Sequence, residues 1–266
     1  DLTTGAANTG LGANSLANIT TGGHNTALGY EALMTQTTAS NNTAVGHAAL
    51  KLNTTGTQNT AFGNAALDAN TTGQQNNAFG DNALGGNTTG SYNVAVGEQS
   101  LYANNGSDNT GCGHRTLQAN TTGTANNAFG GNALDSNTTG SYNCGFGNNA
   151  LGVNTTGEQN AAFGNNALDA NTTGDYNTAF GASSLGANTT ADGNTALGFS
   201  ALKANTTGQY NVAIGHNALD SNTISNDNVA VGTNALTTLT IGGASQVGQN
   251  TAVGNNSLMN YAGIHA

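Results

Sequence analysis

The chain lacks proline and tryptophan altogether, and it has very few charged or aromatic residues. Charged residues make up 6% of its 266 residues and aromatic residues 5%, whereas there are 40 glycines. An ordinary globular domain carries about 25% charged residues, so neutral polar side chains must cover this surface. Disordered segments are usually rich in charge and proline, whereas a chain that hydrogen-bonds along its whole length avoids proline. The composition therefore favours neither an ordinary globule nor a disordered chain.

Positive charge is also scarce. Three Lys and Arg residues stand against 13 Asp and Glu residues, for a formal net charge of −10. Nucleic acids and anionic membrane surfaces are held by clusters of Lys and Arg, so we expect neither as a partner. No apolar run approaches the roughly 20 residues that span a bilayer, and we expect no membrane insertion. No leader peptide is visible and the chain starts and stops within its pattern, so we expect a mature product, a fragment or a piece of a longer fibre.

An internal repeat dominates the sequence. The motif Asn-(Thr)-Ala-(apolar)-Gly occurs 15 times, and 12 of the 14 intervals between its copies are 17 residues long. One interval has 16 residues and the last has 22. The copies begin at Asn8, Asn25, Asn42, Asn59, Asn76, Asn93, Asn109, Asn126, Asn143, Asn160, Asn177, Asn194, Asn211, Asn228 and Asn250.

Three positions of the unit carry the repeat, counting its first Asn as position 1. Position 4 is apolar, position 5 is Gly and position 9 is Leu in every copy. Stacked coils would align equivalent residues, so these positions predict internal ladders of Leu and of Phe with Gly at a turn. We single out as ladder residues Leu67, Leu84, Leu134, Leu151, Leu168, Phe62, Phe79, Phe129, Phe146, Phe163, Phe180, Gly130, Gly147 and Gly164.

A unit of 17 residues is too short for a pair of packed helices, because helical repeats run to about 33–47 residues. Its two glycines and many asparagines also disfavour helix. We predict two short strands per unit, N-T-A-F-G and N-A-L-x-A, with N-T-T-G as the return turn. The whole chain, 1–266, is then one all-β repeat domain. It forms a parallel β-solenoid, a β-roll or β-helix of about 15 coils from Asn8 to Leu258, with an insertion loop at about 237–249.

The repeat predicts a thin interior, because each coil supplies little apolar area compared with the entropy lost on ordering it. Neighbouring residues of a strand point to opposite faces. Two arrangements are open: Phe and Leu face inward with Ala outside, or Ala fills a narrow roll while Phe and Leu are buried between chains. Both favour a homo-oligomer, either a trimer or an axial filament, over a monomer.

The unit resembles the repeats of phage tail-fibre and bacterial surface-fibre proteins. The segments that carry the likeness are NTAFGNNALDANTTGDYNTAFG and NTTGQYNVAIGHNAL. Proteins of that kind often end in an endosialidase-type chaperone domain. The NVAVG and NVAIG elements are also similar to the head repeats of trimeric autotransporter adhesins. The resemblance implies a trimeric extracellular fibre at a cell surface or on a virion.

Residues that could bind a metal ion or take part in catalysis are scattered through the repeat. His47, His114 and His216 share position 6 but belong to distant coils, and with His24 and His265 we expect them at the surface. Cys112 and Cys144 occupy different positions two coils apart, so we expect free, mostly buried thiols. Four aspartates share position 10 and are best interpreted as solvated turn residues, with a scattered Ca²⁺ site as the alternative: Asp68, Asp135, Asp169 and Asp220.

The N-T-T turns give the chain its other candidate surface. Each is formally a glycosylation sequon, and its Thr pairs suggest a regular face for glycan or ice, although a turn stacked on neighbouring backbone is the simpler interpretation. The residues of this candidate glycan-bearing or surface ladder are Asn137, Asn154, Asn171, Thr155, Thr156, Thr172 and Thr173. Tyrosines at position 17 could stack on sugars, but packing against the next turn is favoured: Tyr92, Tyr142, Tyr176 and Tyr210.

No nucleophile–base pair, phosphate loop or metal-ligand spacing occurs, so we expect no enzymatic activity, cofactor or metal. The sequence predicts an extracellular structural fibre or adhesin segment, assembled laterally, end to end or both. Its partner would be itself, with a cell-surface glycan as a further candidate. The alternative is a binding module with a Thr/Asn face for glycan or ice.

Overall fold

A computed structural model describes residues 7–241 and 248–263, and every regular element in these ranges is a β-strand. Each copy of the repeat supplies one strand of three residues, which begins directly after its first Asn. These strands are β1 (Thr9–Leu11), β2 (Thr26–Leu28), β3 (Thr43–Val45), β4 (Thr60–Phe62), β5 (Asn77–Phe79), β6 (Val94–Val96), β7 (Thr110–Cys112), β8 (Asn127–Phe129), β9 (Cys144–Phe146), β10 (Ala161–Phe163), β11 (Thr178–Phe180), β12 (Thr195–Leu197), β13 (Val212–Ile214), β14 (Val229–Val231) and β16 (Thr251–Val253). The longer strands β15 (Thr238–Ile241) and β17 (Asn260–Gly263) lie outside this pattern.

The chain divides into two compact units, Asp1–Thr139 and Gly140–Ala266. In the first unit β1 to β8 pair in chain order, and in the second β9 to β14 do so, followed by β16. Every pair is parallel and joins equivalent positions, as where Ala162 lies beside Ala179 and Phe163 beside Phe180. The predicted all-β, parallel β-solenoid is confirmed.

The second strand predicted for each coil is wrong, because N-A-L-x-A forms consecutive turns. Positions 7 and 9 both adopt left-handed backbone, with φ of 55° at Asn166 and 52° at Leu168. A strand requires extended backbone, and the chain here must instead bend sharply to close a 17-residue coil. Left-handed backbone disfavours a residue as large as Leu, so its burial and hydrogen bonding have to offset that strain.

Backbone hydrogen bonds join neighbouring coils at the turns as well as along the strands. At the leucine turn the Leu168 amide donates to the Ser184 carbonyl at 3.0 Å. At the N-T-T turn the Thr172 amide donates to the Thr189 carbonyl at 2.8 Å. Coils are therefore joined at several points of their circumference, which explains why a strand of only three residues suffices.

The interior holds leucine and alanine, whereas phenylalanine lies outside. Leu67, Leu84, Leu134, Leu151 and Leu168 are all fully buried, which confirms the leucine ladder. The alanines at positions 3 and 8 are buried beside them, as Ala162 and Ala167 are in the coil of Leu168. Neither arrangement considered for the sequence is right, because Leu and Ala share the interior.

The phenylalanine ladder was predicted to be internal, and that prediction is wrong. Strand β10 alternates, so that Ala162 points inward while Phe163 points outward. The coil is too narrow for a large ring beside the leucine. A signal for this is present in the sequence: position 3 is never larger than Ala, whereas position 4 ranges from Val and Cys to Phe. Size varies freely only where packing does not fix it.

The insertion predicted as a loop at about 237–249 contains a strand. Strand β15 begins at Thr238 and pairs in parallel with β17, aligning Thr238 with Asn260. Residues 242–247 of the predicted loop lie outside the described ranges. The insertion thus adds a small two-stranded sheet to the second unit.

Leu168→Ala should lower the free energy of unfolding by about 3 kcal/mol, because it removes a fully buried side chain and leaves a cavity in a narrow interior. Urea unfolding followed by far-UV circular dichroism measures the loss. The control is Thr173→Ala, which truncates an exposed residue of the same coil and should change stability by less than about 0.5 kcal/mol. Equal losses in the two variants would contradict the assignment of Leu168 to the core.

Candidate functional site

An apolar column lies on the outer face of the strands. It consists of the position 4 residues and is called here the outer ladder. In the first unit its members are Leu11, Leu28, Val45, Phe62, Phe79, Val96, Cys112 and Phe129. In the second unit they are Phe146, Phe163, Phe180, Leu197, Ile214, Val231 and Val253. Each unit therefore presents an uncharged stripe to its surroundings.

The phenylalanines of the outer ladder stack on one another. The ring centroids of Phe62 and Phe79 are 5.4 Å apart, and those of Phe146 and Phe163 are 4.9 Å apart with planes only 5° from parallel. The rings are nevertheless accessible, with Phe62 39% exposed and Phe180 54% exposed. Stacking orders these side chains before any partner arrives, so a contact with them costs little conformational entropy.

The glycines that follow the outer ladder let the coils approach closely. Gly130, Gly147 and Gly164 have φ of 118°, 140° and 143°, a region that other residues rarely adopt. A Cβ at Gly147 would lie 2.5 Å from the Gly164 carbonyl oxygen of the next coil. Glycine is therefore required at position 5 by both backbone angle and space.

In each compact unit the asparagines of the N-T-T turns form a buried ladder. Asn137, Asn154 and Asn171 are all inaccessible to solvent. Asn171 Nδ2 donates to Asn154 Oδ1 at 2.8 Å and to the Gly174 carbonyl at 3.0 Å. The simpler interpretation, a turn stacked on neighbouring backbone, is confirmed for these three residues, and the alternative of a glycan-bearing or surface ladder is wrong, because their amides are buried and bond within the stack.

A second asparagine ladder runs through position 1. The Asn177 amide donates to Asn160 Oδ1 at 2.9 Å, and Asn177 Nδ2 donates to the Ala191 carbonyl at 2.8 Å. Both residues are buried. Buried polar groups must be paired, and stacked asparagines pair one another from coil to coil.

In the turns of Asn154 and Asn171 the two threonines differ in their environment. Thr155 and Thr172 are half-buried, and their hydroxyls donate to the carbonyls of Thr172 and Thr189 at 2.9 and 3.0 Å. Thr156 and Thr173 are exposed. Both threonines are exposed in the turns of Asn53 and Asn120, but the asparagines of these turns are buried, which weakens the alternative of a broad Thr/Asn face for glycan or ice.

The 16-residue coil interrupts the position 12 ladder. In the preceding coils Asn87 Nδ2 donates to Asn70 Oδ1 at 3.0 Å, but Asn104 Nδ2 donates to the Gly106 carbonyl at 2.8 Å. Asn87 Oδ1 is buried without a hydrogen-bond partner. The missing residue follows Asn104, where the sequence reads N-N-G in place of N-T-T-G.

The aspartates at position 10 are turn residues, as predicted, but they are half-buried and not fully solvated. Asp169 borders a cavity of about 260 Å³ between its own coil and the next. The cavity is lined by Asn166, Asp169, Ser183, Gly186, Ala187 and Lys203. Loss of solvent raises the pKa of the Asp169 carboxyl above its ordinary 3.8, against the opposing effect of the Asp169 and Ala170 amides. Burial raises the pKa values of Asp68 and Asp135 in the same way.

Four of the five histidines are exposed at the positions predicted for them, namely His24, His47, His114 and His216, while His265 lies outside the described ranges. The His47 ring stacks on Tyr30, with centroids 5.5 Å apart. Within residues 7–241 and 248–263, no group of three or more His, Cys, Asp and Glu side chains could hold a metal ion.

Both cysteines are free. Cys112 and Cys144 point outward from β7 and β9 and are half-buried, which corrects the expectation of mostly buried thiols.

Within residues 7–241 and 248–263, no helix has the length and apolar character that a membrane crossing requires.

Tyrosines form a sparse column in the second unit, called here the tyrosine column and made of Tyr142, Tyr176 and Tyr210. Their exposed fractions are 61%, 60% and 59%. The favoured expectation that such residues pack against the next turn is therefore wrong for most of each ring. The Tyr210 ring lies over Gly193 of the preceding coil, since a Cβ at Gly193 would be 2.6 Å from Tyr210 Cδ1.

Inserting one Thr between Asn104 and Asn105 should raise the free energy of unfolding by about 1 kcal/mol, because Asn87 Oδ1 regains a donor. The midpoint of urea unfolding measures the change. The same insertion after Asn120, whose coil already has full length, should destabilise the protein. Destabilisation by both insertions would contradict the link between the short coil and the unpaired oxygen.

Asp169→Asn should stabilise the protein at pH 7, because the folded state disfavours the ionised carboxylate. A carboxyl whose folded pKa is raised costs stability above that pKa, and the cost disappears once the pH falls below its unfolded pKa. The stability difference between variant and wild type should therefore shrink from pH 7 to pH 3. Asp68→Asn should show the same pH-dependent gain in stability in the first compact unit. Urea titrations across this range measure both differences, and a difference independent of pH would contradict the prediction.

No family model, curated protein or solved structure matches this chain. The case for its function therefore depends on the geometry described above.

Proposed function

We propose that the chain is a structural segment of an extracellular fibre, in which copies of the chain pack laterally through their outer ladders. The observation that carries the proposal is the exposed, stacked phenylalanine column. Apolar patches of this regularity on a soluble protein commonly mark an interaction surface. The family resemblance supports three copies around a common axis, at a cell surface or on a virion, with attachment or reach as the role.

A second copy of the chain fits the outer ladder better than an unrelated protein does. Each coil repeats the same apolar position, so the column complements itself along its length. The ladder also carries no charged residue, although the chain as a whole has a net charge of −10. Packing ladder against ladder removes apolar surface from water.

The pairing of coils supports the same role. Parallel strands that align equivalent residues give a repeat of about 4.8 Å per coil, a regular scaffold that can be lengthened by adding coils. Gly147 and Gly164 keep this spacing tight by excluding side chains between coils. A fibre segment requires this regular spacing and does not require a catalytic group.

Phe163→Asp should dissociate the assembly, because each copy would place a carboxylate among the stacked rings of Phe146 and Phe180. Sedimentation equilibrium at micromolar concentration should give three times 26.2 kDa for the wild type and 26.2 kDa for the variant. Thr173→Asp is the matched control, since it adds the same charge at an exposed site outside the outer ladder. A monomeric wild type, or equal masses for Phe163→Asp and wild type with unchanged circular dichroism, would refute the proposal.

A further inference from the structure

The tyrosine column has a regular spacing of two coils. Tyr142, Tyr176 and Tyr210 all occupy position 17, and the intervening coils carry Gln159 and Gly193 there. Neighbouring coils of a parallel sheet are about 4.8 Å apart, so successive tyrosines are about 10 Å apart along the stacking direction. All three belong to the second unit, and all three rings are about 60% exposed.

We propose that the tyrosine column binds an extended, neutral, β-1,4-linked polysaccharide chain that lies along the stacking direction of the coils. Sugar rings present apolar C–H faces that stack on aromatic rings, while their hydroxyls remain in water. In a flat β-1,4-linked chain alternate sugars face the same way, and the repeating disaccharide has nearly the length of two coils. Each tyrosine therefore meets an equivalent sugar face.

Gln159 and Gly193 lie between the tyrosines. Gly193 has no side chain and the Tyr210 ring lies over it, so no side chain stands between Tyr176 and Tyr210. Gln159 is exposed and supplies an amide that both donates and accepts hydrogen bonds. A bulky residue at either position would lift the sugar chain from the flanking rings.

An acidic row beside the column determines which sugars fit. Position 16 carries Glu158, Asp175 and Asp192 in three successive coils. Two of these carboxylates are held in place, since Asp175 Oδ1 accepts from the Glu158 amide at 2.7 Å and Asp192 Oδ1 accepts from the Asp175 amide at 2.8 Å. Each carboxylate keeps capacity for sugar hydroxyls. The negative row repels acidic polysaccharides, so the site selects neutral chains.

This proposal is independent of the proposed fibre role, because position 17 does not belong to the outer ladder. Isothermal titration calorimetry with cellohexaose and with chitohexaose tests it, and the two probes separate glucan from N-acetylglucosamine chains. Cellobiose is too short to reach two tyrosines. Maltohexaose has as many sugar units as cellohexaose, but its chain is α-linked and curved. Cellobiose and maltohexaose therefore serve as control ligands.

The discriminating variant is Tyr176→Ala, which removes the middle ring. Alanine is compatible with this backbone, because Ala125 occupies position 17 with φ of 56° where Tyr176 has 59°. The matched control is Tyr92→Ala, which removes an isolated tyrosine from the same position in the first unit. We expect one or both β-linked hexasaccharides to bind, and Tyr176→Ala to lower the association constant about fivefold. Tyr92→Ala should leave it unchanged.

Three results would overturn the proposal. The first is no binding of either hexasaccharide, and the second is equal binding by wild type and Tyr176→Ala. The third is a lower oligomer mass of Tyr176→Ala in sedimentation equilibrium, which would assign the tyrosine column to contacts between copies of the chain. The oligomer mass of Tyr176→Ala thus distinguishes a failure of sugar binding from a failure of assembly through the outer ladder.

Discussion

A typical coil encloses one leucine, two small residues and two asparagines, and this narrow interior holds no larger side chain. In the coil of Leu168 these are Ala162, Ala167, Asn160 and Asn171, all buried. This small cross-section determines where every other side chain goes. Phenylalanine moves outside, glycine is required where coils touch, and polar side chains that remain inside must pair with one another.

A narrow interior also changes what stabilises the fold. A domain of ordinary width gains most of its stability from buried apolar area, but a coil with a single leucine has little of it. Hydrogen bonds that run from coil to coil take a larger share. The Asn177 side chain illustrates this, since its amide group contacts both Asn160 Oδ1 and the Ala191 carbonyl. Such networks are favourable only when complete, which is why the unpaired Asn87 Oδ1 marks a weak point.

The sequence predicted the architecture well because the architecture repeats. Fifteen copies of one motif serve as an alignment within a single chain, and they indicate coil length, parallel register and the buried leucines. The sequence predicted the orientation of side chains less well. The segment N-A-L-x-A around Leu168 reads like a short strand, but Asn166 and Leu168 have left-handed backbone. The residue pattern alone does not indicate the backbone angle φ. Asn171 belongs to a sequon and reads as a surface residue, yet its burial follows from a turn that folds inward.

The short coil has a further consequence for how the chain finds its register. Nearly identical coils can stack in the wrong order, since a slip by one whole unit would preserve most of their contacts. Contacts between interchangeable neighbours thus give the folding chain little information about position. The 16-residue coil between Asn93 and Asn109 is an exception, because its contacts differ from those of a full-length coil and leave Asn87 Oδ1 unpaired. This irregularity in the asparagine ladder would then distinguish the correct stacking order of the coils from orders that are shifted by one coil.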